Sequence, residues 1–124
     1  MLKRTIVLSL FTLLSHSVFA EDVLSGEEIR ALISGKTVMA TTANRTKNID
    51  LKQYYAADGT AISASSTKSL NGVWRINDQG LHCTQWEGKE ETCAKIVKAG
   101  DGYQRIEGDT LRGNWHRIVD GNAM

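Results

Sequence analysis

Between residues 70 and 120 apolar and polar side chains alternate in short runs, and each run ends at a glycine-containing turn. Alternation with period two marks a strand with one buried face. "INDQGL" (76–81) puts Asn77, Asp78, Gln79 and Gly80 in the order of a type I turn followed by a left-handed glycine, a common hairpin loop. That turn sets Ile76 opposite His82, Trp74 opposite Thr84 and Gly72 opposite Trp86. A second hairpin, closing at Gly88 with Glu87 and Lys89 beside it, sets Trp86 opposite Glu90, Thr84 opposite Thr92 and Cys83 opposite Cys93. The two registers agree on one inner face, carrying Trp74, Ile76, His82, Trp86, Ala94 and Ile96. Arg75, Cys83, Gln85, Glu91, Cys93 and Lys95 fall on the opposite, polar face.

Further turn signals divide the rest of the chain. Asp58-Gly59 separates two strand-like runs, Gly108-Asp109 does the same in "IEGDTL", and "AGDGY" (99–103) supplies another corner. "TVMATTA" and "NIDLKQYY" read as the first strands, "TLRGNWHRIV" as the last, and "SASSTKS" (63–69) as a polar loop. The count is about eight short strands, and the close spacing predicts a mainly β protein, an antiparallel meander curling into a small barrel. One short helix is well marked. "LSGEEIRALISGK" has Ser25 as N-cap with Glu28 three residues on, a capping box, while Leu24 and Ile29 stand as a hydrophobic staple and Gly35 as the C-terminal stop. Ile29, Leu32 and Ile33 form one stripe, which predicts a helix covering an open end of the barrel.

The first twenty residues change the picture of where the domain works. Lys3 and Arg4 precede an apolar run from about Ile6 to Leu14, and Val18 and Ala20 supply small residues before a cut. This is the pattern of a secretory signal peptide over 1–20, cleaved between Ala20 and Glu21, and the run is about half of the ~20 residues that span a bilayer. Residues 21–124 then form a single small domain with no membrane span, exported to the periplasm or beyond. Its thirteen basic and fourteen acidic residues leave a formal charge of −1. That balance lacks the basic stripe that a phosphate backbone demands, so nucleic acid is excluded as a partner.

Export also decides how the two cysteines are read. In an oxidising compartment a cysteine pair in a small domain is a disulfide, and directly opposed strand residues have Cα atoms about 4.5 to 5.5 Å apart, within disulfide reach. The hairpin register therefore predicts a Cys83–Cys93 staple on the outer face. Structural zinc, c-type haem and thioredoxin-like centres need C-x2-C or C-x-x-C-H spacings, which are absent, so no metal and no cofactor is expected.

The order of "LSGEEIRALISGKTV", "YYAADGT", "NGVWRINDQGLHCTQWEGKEETC" and "GDGY" resembles a family of short exported proteobacterial proteins with a domain of unknown function. The resemblance covers nearly all of residues 21–124. It implies a bacterial periplasmic protein and transfers no catalytic residue.

The remaining motifs carry little chemistry. "SGKT" (34–37) lacks the first glycine of a phosphate-binding loop, Arg30 standing there, and it follows a helix instead of preceding one. "NRT" (44–46) has only the form of a glycosylation sequon. His82, on the face that carries Trp74 and Trp86, and His116, next to Trp115, have no recognisable nucleophile or metal partner, so no catalytic residue is assigned. Trp74, His82, Trp86, Trp115 and His116 are the candidate binding residues. Three classes of function follow. The first is an exported non-catalytic binding or inhibitory module, gripping an envelope protein or polymer by its loops or a strand edge. The second is a small barrel holding a hydrophobic ligand among Trp74, Trp86 and Trp115. The third is an enzyme with an unfamiliar site. Short strands predict an interior filled by its own side chains, which favours the first class over the second.

Overall fold

The computed structural model describes residues 22–124. The signal peptide expected over 1–20 and its expected cleavage point lie outside the described residues. Among the described residues one helix, α1 (Gly26–Ile33), precedes eight strands: β1 (Lys36–Thr42), β2 (Asp50–Tyr55), β3 (Thr60–Ala64), β4 (Ser69–Ile76), β5 (His82–Trp86), β6 (Thr92–Ala99), β7 (Gly102–Glu107) and β8 (Thr110–Asp120). Every strand pairs antiparallel with the next, and β8 returns to pair with β1, so the sheet is a closed meander barrel. Closure leaves no row of unpaired backbone groups, which removes a strand edge as a gripping surface.

The predicted registers are observed. Gly72 faces Trp86, Trp74 faces Thr84 and Ile76 faces His82 across β4 and β5. His82 faces Ala94, Cys83 faces Cys93 and Thr84 faces Thr92 across β5 and β6. The 77–80 turn closes as expected, with Gly80 at φ +78°, its N–H donating to Asn77 O at 2.9 Å, and Asn77 Oδ1 accepting from Gln79 and Leu81 N–H groups. The β5–β6 ladder ends at Thr84–Thr92, two residues short of the expected Trp86–Glu90 pair. Glu87 N–H instead donates to Asn71 O at 2.8 Å, so the end of β5 is held by β4. The 63–69 segment is also more ordered than its composition suggests. Only 65–68 turns, while Ser63 and Ala64 end β3 and Ser69 opens β4.

The helix forms where its caps place it. Ser25 Oγ accepts from Glu28 N–H at 3.1 Å and Glu28 Oε1 accepts from Ser25 N–H at 2.8 Å, the reciprocal pair of a capping box. Gly35 adopts the left-handed conformation, but its N–H donates across to Tyr55 O at 2.7 Å and its carbonyl accepts from Gly121 N–H at 2.9 Å. The helix stop is thus also its tether to the barrel. Ile29 and Ile33 are fully buried and join Val38, Trp74, Ile96 and Trp115 in the core. Burial of each isoleucine contributes about 1.5 to 3 kcal/mol, which holds the helix down as a plug.

The Cys83–Cys93 disulfide is present, with Cα atoms 4.0 Å apart. It lies on the outer side of the sheet, as the alternation requires, yet Cys83 is completely buried. The cover is the ion pair above it: Arg75 donates twice to the Glu91 carboxylate at 2.8 Å, and a Glu91 oxygen lies within 4.8 Å of both sulfurs.

Candidate functional site

The two ends of the barrel differ. At the end where β1, β3, β5 and β7 begin, α1 fills the opening. At the other end the loops 43–49, 65–68, 87–91 and 108–109 surround a mouth, and a cavity of about 560 Å³ reaches inward from it. The interior is therefore not filled, contrary to the expectation from strand length. The inward positions of this half carry small side chains, Ala40, Ser63 and Thr84, and the glycine Gly113. Counting strands fixes how many positions face inward, but side-chain volume decides whether they meet.

Tyr55 lines the inner part of the cavity, and a layer of rings packs behind it. Tyr55 and His82 stand nearly perpendicular with centroids 5.1 Å apart, and His82 and Trp115 do the same at 5.4 Å. Trp74 completes the layer at 5.6 Å from Tyr55. Edge-to-face packing of this kind gives a rigid partition between the helix-covered core and the hollow half. Tyr55 is fully buried, and its O–H donates to Gln53 Oε1 at 2.9 Å while Gln53 Nε2 donates to Ser63 Oγ at 3.2 Å. Burial raises the Tyr55 hydroxyl well above its ordinary range, so it stays protonated and keeps donating.

Arg105 is the charged group of the site. Projecting inward from β7, it donates from Nε to His82 Nδ1 at 3.1 Å, and from Nη2 to His82 O at 3.4 Å, Thr92 O at 3.3 Å and Thr92 Oγ1 at 3.4 Å. Among the described residues no acidic side chain pairs with it. Glu107 lines the same cavity, but its carboxylate accepts from Arg112 Nε at 3.0 Å. Burial lowers the Arg105 value, though a guanidinium remains charged in any case. His82 is lowered well below its ordinary value, first by its own burial and then by the neighbouring Arg105 cation. The ring is therefore neutral, accepts at Nδ1 and carries its proton on Nε2, which is buried without a hydrogen-bond partner.

The residues singled out from sequence separate into different places. Trp86 lines the cavity near the mouth and is half-buried. His82 belongs to the layer of rings behind Tyr55. Trp74 and Trp115 are buried in the core; the Trp74 indole donates to Ala56 O at 2.8 Å and the Arg30 guanidinium of α1 lies 5.5 Å from its ring centre. His116 is on the outer surface, its Nε2 2.8 Å from Thr41 Oγ1, and that hydroxyl donates to Asp50 Oδ1 at 2.8 Å. In this chain the carboxylate takes the hydroxyl proton instead of orienting the imidazole, the reverse of what an activated nucleophile requires. Among the described residues the one cluster with metal-ligand proximity is Cys83, Cys93 and Glu91. Both sulfurs are spent in the disulfide and the carboxylate in its pair with Arg75, so the cluster offers no ligand set.

Arg105, Gln53 and Tyr55 went unnoticed in the sequence. "GYQRIE" (102–107) carries a period-two signal that puts Tyr103, Arg105 and Glu107 on one face, but an arginine in such a run reads as solvent-facing. Fold and site together define a closed eight-stranded meander barrel, plugged at one end by a helix and hollow at the other. No protein-family pattern, no curated protein and no solved structure matches the chain.

Proposed function

We propose that the domain is a non-catalytic binding module that takes a small molecule into the hollow end of its barrel. The observation that carries this reading is the cavity itself: about 560 Å³, within the usual range of ligand sites, walled by Leu51, Leu70 and Trp86 and furnished with a few converging polar groups. The reading shifts the weight from the loop-gripping module to the ligand-holding barrel. Closure removes the strand edge, and the size of the interior removes the reason for discounting a ligand. The same reading places the protein in the periplasm or outside the cell. The cleavable N-terminal segment and the disulfide support that compartment, as does the absence, among the described residues, of a helix long and apolar enough to cross a membrane.

Titration with the neutral apolar dye N-phenyl-1-naphthylamine tests the cavity. Emission should rise to saturation at one dye per chain, and Ser63→Phe, which puts a ring into the hollow, should abolish the rise while the thermal midpoint shows a folded protein. A folded Ser63→Phe protein that binds the dye as well as the parent would overturn the reading.

A further inference from the structure

The charge distribution around the cavity says what kind of molecule would enter it, given the binding reading above. Residues 21–124 are almost neutral overall. The cavity walls are not: Arg45, Lys68, Lys89, Arg105 and Arg112 line them against Glu90 and Glu107, and one of those acids is already taken by Arg112. Arg45, Lys68 and Lys89 are exposed at the rim, where a cationic mouth concentrates anions. Arg105 lies deeper, against His82 and Thr92.

Its surroundings are incomplete for a cation. A charge withdrawn from water costs several kcal/mol unless a counter-charge offsets it; the hydrogen-bond partners of Arg105 are all neutral, and Glu107, which pairs directly with Arg112, acts on it only through space. His82, held uncharged, and the Thr92 carbonyl take Nε and Nη2. Nη1 makes no hydrogen bond within the described residues, and Arg105 lines the cavity. The protein thus holds the guanidinium through two nitrogens and leaves the third without a protein partner in a residue that lines the hollow. Leu51, Leu70 and Trp86 provide apolar wall toward the mouth.

We propose that the barrel binds an amphipathic molecule bearing one carboxylate, its head against Arg105 and its apolar body against Leu51, Leu70 and Trp86. A planar carboxylate matches a guanidinium edge in geometry and charge. No bond forms or breaks; the ion pair supplies the counter-charge that the hydrogen-bond partners of Arg105 lack.

Calorimetric titration of the mature protein with decanoate, decanol and decyltrimethylammonium, all below their micellar concentrations, separates head from tail. Decanoate should bind at least about tenfold more tightly than decanol, a difference of about 1.4 kcal/mol, and the ammonium compound should bind more weakly than either. Arg105→Gln should erase the preference for decanoate over decanol, and Arg105→Lys should restore part of it. Equal affinities for decanoate and decanol in the parent protein would overturn the carboxylate assignment and leave the cavity reading standing. Binding of none of the three compounds would overturn both. Retention of the full preference by a folded Arg105→Gln protein would also overturn the role of Arg105. Should Arg105→Gln fail to fold, the comparison of the three compounds on the parent protein still decides the assignment.

Discussion

His82 combines three constraints at one position. It is fully buried, accepts from a cation at Nδ1, and packs against Tyr55 and Trp115. Burial first and the Arg105 cation second favour the neutral ring, and this couples stability to pH. As the pH falls through about 6.5, the unfolded chain takes up a proton at this histidine while the folded protein does not, so stability present above that pH is lost below it. Urea melts at pH 7.5 and 5.0 should differ through this residue by up to about 2 kcal/mol, since each unit below the unfolded value costs at most about 1.4 kcal/mol. In His82→Gln, whose amide oxygen still accepts from Arg105, the difference should shrink by that amount. An unchanged pH dependence would show that His82 takes up its proton in the folded protein as readily as in the unfolded chain. Gly72 shows the same local economy in packing. A Cβ there would come to 2.6 Å from Trp86 Cε3, so the glycine is the space in which the indole lies.

At the scale of elements, the β4–β5–β6 sheet is the most strongly specified part of the chain. Its turns, its two tryptophans and its disulfide all require one register. The cross-link closes a short loop between neighbouring strands, for which loop-closure entropy contributes about 3 kcal/mol. Replacing both cysteines by serine should lower the unfolding free energy by up to that amount and leave a folded barrel, because neither side chain faces the interior. Chemical denaturation of the parent and the double variant measures the difference. A loss well above that estimate would mean that the Arg75–Glu91 cover over Cys83 depends on the disulfide and collapses with it. The Arg75 hydrogen bonds hold the Glu91 carboxylate below its usual value, which keeps that cover charged in ordinary buffers.

For the whole molecule, the division of labour between the two ends is the central feature. The plugged end carries the large side chains, Trp74, Ile96, Trp115 and the helix isoleucines, and supplies most of the apolar burial. The hollow end carries small and polar inward positions and gives up burial for space. Stability and binding are thereby assigned to opposite halves of one barrel. If the N-terminal segment is a cleaved signal, protein purified from an exporting cell should begin at Glu21 and weigh about 2 Da less than after reduction. Edman sequencing and intact mass decide both points, and a chain beginning at Met1 with two free thiols would remove the exported reading.

Local rules sufficed for much of this structure. Alternation with period two, the Asn77–Gly80 and Gly88 turns and the Ser25–Glu28 capping box specify strands, register and helix from neighbouring residues, and they place Cys83 against Cys93. The depth of Cys83, the closure of β8 on β1 and the cavity were decided only in three dimensions. Arg75 lies on β4 and Glu91 in the loop before β6, while Ala40, Ser63, Thr84 and Gly113 lie on four different strands. No segment of sequence contains them together. Which small residues share a level, and which charge lies above them, depends on the stagger of eight strands around a closed barrel, a property of the whole sheet that each strand's own pattern does not carry.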